Sequence, residues 1–410
     1  MKKYILMALS VCALTACDLA NGEGAGSDNA VYMGNANSSG VVSMVVSDAN
    51  GGSIVVTPRL ANITEEPVEV TVSLDKDYLA EYNKSAGLDL QPVEAEDFVL
   101  VTQDGKESHG SATVVIEKGQ FNASVEVRMS SVDPEKYSYS KGFAIPLTIT
   151  QASGYQVLSS PKSTLIRLSR QLVTSVAKFT YGGSIALVPN DELREPMSNW
   201  TMQVSMLYPS LPTGSSSDGN TTVMSIGAGT GDFYTRIHAT KGIQFKHGRD
   251  GDDTWTQKPL ATNKWLNITF VHRNGSEMSI YVNGELQKTY QSSPIYFSQQ
   301  TICNLYIGNT QYTGVYVREA RMWNRALTEG EIVDKEYLPQ DPADPSLIMY
   351  MPFTKVENNG MEELTGNWTV SNFRDTGYYD EDPPRITYVE NVLFPSEELV
   401  IVATDEEEGE

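Results

Sequence analysis

Between residues 266 and 290 apolar and polar side chains alternate, break at Asn274-Gly275, alternate again, and break at Asn283-Gly284. A period of two marks a half-buried strand. Leu266, Ile268 and Phe270 point one way, and Asn267, Thr269 and Val271 point the other. Met278, Ile280 and Val282 return on a single face. Asn and Gly both tolerate positive φ, so each Asn-Gly pair predicts a tight hairpin turn. The pattern therefore predicts a three-stranded meander with one strongly apolar face, which a second sheet must cover.

The first third of the chain carries the same period in shorter pieces. "GVVSMVVS", "GGSIVVTPRL", "PVEVTVSLD", "GSATVVIEKG", "ASVEVRM", "FAIPLTIT" and "STLIRLS" are β-branched runs bounded by Gly, Pro or charged residues. Their number and spacing predict an antiparallel sandwich. One helix interrupts them: Asp77 can cap "YLAEYNKSAG", Leu79 and Tyr82 share a face, and Gly87 can end it. The expected class is all-β, with two β-sandwich domains at residues 31–169 and 170–395. Residues 18–30, rich in Gly, Asn, Ala and Asp, read as a flexible tether, and 396–410 as an acidic tail.

The N-terminus suggests an address. Lys2 and Lys3 precede an apolar stretch, Ile5 to Ala16, that is too short to span a bilayer. It runs into Leu14-Thr15-Ala16-Cys17, which resembles a bacterial lipobox, so 1–17 is expected to be a lipoprotein signal with Cys17 lipidated. The alternative is an ordinary signal peptide with an incidental cysteine. With Cys12 leaving with the signal and Cys17 carrying the lipid, only Cys303 remains and no intrachain disulfide is expected; its apolar run suggests a small buried hydrophobe. The formal charge is −22, and more negative still once Lys2 and Lys3 are removed. Such a chain repels nucleic acid and anionic lipid alike, so any hold on a membrane would be the N-terminal lipid. Outer-membrane attachment, facing the exterior, is the expected location.

Two segments resemble known families. "KWLNITFVHRNGSEMSIYVNGELQKTY", "LYIGNTQYTGVYVREARMWNRALTEGEI" and "LIMYMPFTKVENNGMEELTGNW", preceded by "NWTMQVSMLYPS", are similar in order and spacing to laminin-G-like, concanavalin-like domains. The resemblance implies a jelly-roll sandwich over most of 171–376. The residues Tyr82, Asn83, Gly119, Pro146 and Leu147 resemble the pattern of a Bacteroidetes surface-lipoprotein domain, domain of unknown function 1735. That resemblance implies an immunoglobulin-like N-terminal sandwich on a lipidated protein of a glycan-utilisation system.

Catalytic signatures are sparse. Glycoside hydrolysis needs two carboxylates at a set separation. Glu94, Glu96 and Asp97 read as a loop, Glu329 and Glu331 as a helix start, and Asp380, Glu381 and Asp382 as a Pro-terminated loop. The four histidines form no zinc-type spacing. In "HGRDGDDTW", Asp250, Asp252 and Asp253 can ligate calcium through oxygen, or simply keep a hairpin soluble. Trp255 ends that loop. Trp200, Trp265 and Trp323 fall on core positions of the resemblance, whereas Trp255, with Tyr234, Tyr312 and Tyr316, falls near the sandwich rim. An exposed ring can stack on a sugar, and Asn309 and Gln311 can add hydrogen bonds. The expectation is a non-catalytic surface lipoprotein that captures a glycan. The alternatives are a protein-interaction or structural lipoprotein with an outer-membrane partner, and a glycan hydrolase or lyase with an unrecognised site.

Overall fold

The computed structural model describes residues 29–34, 40–180, 183–189, 197–213, 221–226, 233–246, 252–292, 305–308, 314–355, 361–371 and 385–403. Two β-sandwiches share one 17-residue strand, Ser163–Phe179. Its first half pairs antiparallel with Phe143–Ala152 and in parallel with Val41–Ser47. Its second half pairs antiparallel with Val315–Trp323 and Ile386–Phe394. The division expected between residues 169 and 170 thus falls inside a continuous strand. The parallel pairing of Val41–Ser47 departs from the purely antiparallel sandwich expected.

In the first sandwich, Ser111–Ile116, Val68–Leu74, Phe143–Ala152, Ser163–Phe179 and Val41–Ser47 form one layer. Gly52–Val56, Val125–Met129, Val99–Thr102 and Glu107–Ser108 form the facing one. Every second residue is buried between them, including Met44, Val70, Val72, Phe98, Leu100, Val127 and Ile145. The interrupting helix runs Lys76–Ala86 and closes at Gly87 with φ 67, as the sequence predicts. Its cap is Asp75 rather than Asp77. The Asp75 carboxylate accepts from the Tyr78 amide at 3.0 Å, while Asp77 lies in the first turn. Asp75→Ala removes an acceptor for one of the helix's unpaired amides and is expected to lower stability by about 1 kcal/mol. Urea unfolding of the two proteins measures this.

In the second sandwich the predicted meander is present. Phe270 pairs with Ile280 across the first hairpin. Asn274 and Gly275 (φ 53 and 62) and Asn283 and Gly284 (φ 49 and 74) make both turns with positive φ throughout. This sheet continues through Trp200–Leu207 and Val315–Trp323 to the shared strand. A six-stranded sheet covers its apolar face, in the order Gly242–Lys246, Phe233–His238, Met224–Ile226, Leu305–Gly308, Ser184–Pro189, Trp368–Ser371. Phe179, Trp200, Met202, Phe233, Phe245, Phe270, Ile280 and Met322 fill the space between. The meander's polar face is covered too. Asn267 and Thr269 are buried, and Asn267 donates to Ser205 and to the Glu336 carbonyl. That cover is the short helix Glu329–Asp334 with the chain after it. Thr328 and Glu331 begin the helix as a capping box, at the place the acidic "EGEI" predicts.

The two sandwiches meet through this cover. Arg167 of the shared strand binds Asp334 at 2.7 Å, and Gln171 donates to the Pro395 carbonyl at 2.7 Å. The approach is close enough to need glycine: a Cβ on Gly142 would sit 2.5 Å from the Asp334 carboxylate and from Leu90. Among the described residues, no helix is long and apolar enough to cross a membrane.

Candidate functional site

The outer face of the six-stranded sheet gathers the aromatic and polar groups. On Phe233–His238, alternation sends Phe233 and Ile237 into the core. Tyr234, Arg236 and His238 therefore face outward. On Gly242–Lys246, Ile243 and Phe245 point into the core, which puts Gln244 and Lys246 on the opposite face, where both are buried, at 4% and 8% exposure. The register sets Tyr234 opposite Lys246, Arg236 opposite Gln244 and His238 opposite Gly242. Trp255 then pairs with Gln244 from the other side. Arg236, Gln244 and Trp255 thus stand in one row across the sheet edge.

Gly242 makes that row possible. Its φ is +78, and a Cβ there would lie 2.1 Å from Thr256 Oγ1 and 2.5 Å from the Lys258 carbonyl. Only glycine lets the segment around Trp255 lie against the strand. Lys288 holds the segment from the meander side, donating to the carbonyls of Trp255 (2.8 Å) and Asp253 (2.6 Å). The Trp255 ring is half-buried, edge-on to His238 at 5.8 Å, with the Lys241 ammonium 5.9 Å from its centroid. His238 Nδ1 accepts from the amides of Thr240 (3.2 Å) and Lys241 (3.3 Å), which leaves the ring proton on Nε2.

The electrostatics of the row are uneven. Burial raises the Tyr234 hydroxyl pKa, and a hydrogen bond with Thr222 and the Arg236 charge partly offset that rise. The Arg236 guanidinium carbon sits 5.4 Å from the Tyr234 ring centroid. Arg236 Nε and Gln244 Oε1 are both buried without a hydrogen-bond partner among the described residues. Gln244 is fixed from its other end, its Nε2 donating to Thr254 Oγ1 at 2.7 Å. A buried donor and a buried acceptor left open on one row are the groups a hydroxylated ligand would address. Partly exposed rings beside them supply flat apolar surface.

The structure puts two of the residues expected from the sequence at the same end of one sheet: Trp255 opposite Gln244 at its edge, and Tyr234 one strand further in, two residues along from Arg236. Tyr316 lies on the opposite sheet, in Val315–Trp323, packed beside the Trp265 and Phe394 cluster with Lys178 5.7 Å from its ring. It cannot join them. Asp252 and Asp253 belong to a single 3-10 turn, Asp252–Thr254, leading into Trp255, and Asp253 is exposed. Cys17, Asp250, Asn309, Gln311 and Tyr312 lie outside the described residues. Trp200, Trp265 and Trp323 are core, at 0%, 2% and 0% exposure. Sequence reasoning missed Arg236 and Gln244. The signal was present in the alternation of "FYTRIH" and "GIQFK", which already puts Tyr234, Arg236 and His238 on one face.

Residues 211–333 match the family model of the concanavalin A-like lectin/glucanases superfamily. Residues 27–156 match a second model, which describes an N-terminal domain. No curated protein matches the chain. Among solved structures, the chain is similar to a candidate carbohydrate-binding protein from Bacteroides ovatus ATCC 8483. The identity is 20%, with 88% of this chain and 97% of that one covered and a TM-score of 0.46. It is also similar to a two-domain protein of unknown function from Bacteroides fragilis NCTC 9343 (8% identity, 77% and 99% covered, TM-score 0.29). A third similarity is to Bacteroides thetaiotamicron EndoBT-3987 with a Man5GlcNAc product (20% identity, 34% and 30% covered, TM-score 0.26). The chain thus pairs a matched N-terminal domain with a second sandwich that is laminin-G-like and concanavalin-like.

Proposed function

We propose that this protein is a non-catalytic glycan-binding lipoprotein, anchored through Cys17 to the outer membrane and serving glycan capture in a polysaccharide-utilisation system. The observation that carries the reading is the row Arg236, Gln244, Trp255 with Tyr234 beside it. It combines aromatic surface with buried, unanswered hydrogen-bonding atoms on the outer face of a lectin-type sheet. The similarity to the superfamily model over 211–333 supports the same reading. A single shallow sugar site is weak, with Kd near millimolar and about −4 kcal/mol. Many lipid-tethered copies on one surface offset that weakness through effective concentration.

Isothermal titration of a glycan panel, run with and without EDTA, tests the reading. At least one glycan should give saturable heat and be recovered uncleaved. Trp255→Ala should weaken binding about tenfold, the loss of roughly 1.4 kcal/mol of ring contact. Heat from no glycan with folded protein, or the release of new reducing ends, removes the proposal. The EDTA arm decides whether calcium at the Asp250–Asp253 loop takes part. Radiolabelled fatty acid in wild type and Cys17→Ser, followed by protease shaving of intact cells, tests the anchor and the side it faces.

A further inference from the structure

Arg236 is a half-buried cation in an acidic protein, and it takes part in no ion pair among the described residues. Its neighbours instead are the Tyr234 ring and, opposite in register, the neutral Gln244. Withdrawing a guanidinium from water without a counter-charge is unfavourable, so such groups are retained where a ligand supplies the charge. The surroundings share the sign. In the sequence, residues 233–258 hold the bases Arg236, Lys241, Lys246, Arg249 and Lys258 against the acids Asp250, Asp252 and Asp253, whereas the whole chain has 52 acids for 30 bases. Lys288 adds a further base through its bond to the Trp255 carbonyl. This is the reverse of the chain's own balance, and it coincides with the aromatic row.

From the uncompensated Arg236, stacked on Tyr234 beside Gln244 and Trp255, we propose that this face takes an anionic glycan, one whose sugars carry carboxylate or sulfate. The inference rests on the glycan-binding reading above and narrows it. A guanidinium presents a planar fork that matches a carboxylate or a sulfate with two parallel hydrogen bonds. Stacking on Tyr234 holds the fork in place before the ligand arrives. The adjacent Gln244 Oε1, buried and without a partner among the described residues, is the acceptor that a neighbouring sugar hydroxyl would answer. The net charge of the rest of the molecule opposes an anion at long range. Salt screens that repulsion beyond about 8 Å at physiological ionic strength, while the direct pair at Arg236 survives.

The test uses the full-length protein and matched ligands that differ only in charge. One pair is oligogalacturonate and the same oligosaccharide after carboxyl reduction; the other is dextran sulfate and dextran. The charged member of at least one pair should bind about tenfold tighter than its neutral partner, the scale of one charge-assisted hydrogen-bond pair. The two pairs distinguish carboxylate from sulfate. The advantage should shrink as salt rises from 50 to 300 mM and fall below about threefold in Arg236→Gln, with Arg236→Lys intermediate. If Arg236→Gln does not fold, the ligand pairs and the salt series on wild type still decide. Equal binding within both pairs, or tighter binding of neutral members or of neutral glycans in the panel, overturns the anionic assignment and leaves glycan binding standing. Heat from no glycan of either kind overturns both.

Discussion

Glu319→Gln is expected to destabilise the protein by about 3–5 kcal/mol, the cost of breaking a buried ion pair and stranding its partners. Glu319 is wholly buried and has a positive φ of 55. One carboxylate oxygen accepts from Arg318 at 2.7 Å; the other accepts from Arg321 at 2.7 Å and from the Tyr350 hydroxyl at 2.8 Å. Burial pushes this carboxyl's pKa up, but the charges of Arg321 and Arg318 and the hydrogen bonds outweigh it, and the net direction is down. Arg321, also wholly buried, reaches Gln203 at 2.9 Å and the carbonyls of Lys335 and Leu338. The network therefore ties the sheet to the 335–338 segment that roofs its polar face. A glutamine keeps the shape, loses the charge, and leaves two guanidiniums facing one neutral acceptor. Chemical denaturation of the two proteins at pH 7 reads the difference. A loss under about 1 kcal/mol would mean that the roof is held by its apolar contacts alone.

Stability should fall as pH rises from 5 to 8, and Glu336→Gln should remove much of that fall. Glu336 lies at the junction of the sandwiches, lining a cavity of about 160 Å³ with Arg167, Arg170, Asp334 and Tyr337. One of its carboxylate oxygens is buried without a partner among the described residues. Burial raises its pKa to about 7, against a drop from the nearby Arg167, whose charge is largely taken by Asp334. Asp334 is itself raised by burial, and the adjoining Lys335 is lowered by it. Between the ordinary glutamate value of 4.5 and about 7 the folded state keeps a proton that the unfolded state has lost, so each step up in pH favours unfolding. Across the window the effect is about 3 kcal/mol, at roughly 1.4 kcal/mol for each pH unit. Melting wild type and Glu336→Gln side by side from pH 5 to 8 isolates it. The variant should gain on wild type steadily through the window and lead it at pH 8. A constant gap at every pH would place the ionised carboxylate comfortably in the junction instead.

The sequence was most legible where one local pattern decided the structure. Alternation and two Asn-Gly turns were enough to place Trp265–Arg273, Glu277–Val282 and Glu285–Gln291 as a meander. It was least legible where a distant segment changed the meaning of a residue. Asn267 and Thr269 read only as the face opposite the apolar one, with nothing local to show that the Glu329–Asp334 helix and its following turn bury them. The polar run around Ser169 and Gln171 read as a boundary. It is the middle of a strand whose polar side chains meet the junction, where Gln171 bonds the Pro395 carbonyl. The helix cap was misplaced by two residues because Asp75 and Asp77 are chemically equal, and only the backbone path chooses between them. In the candidate site, Trp255 stood out by residue type. Its partner Gln244 did not, because their pairing depends on Gly242 opening room for a segment more than ten residues away.

A crystal structure of the protein with an oligosaccharide that binds in solution decides whether the row is the site. Intact sugar should lie against Trp255 and Tyr234, with hydrogen bonds to Arg236 and Gln244. Sugar bound only elsewhere, such as along Tyr316 on the opposite sheet or in the junction between the sandwiches, would contradict it, as would a cleaved product at the row.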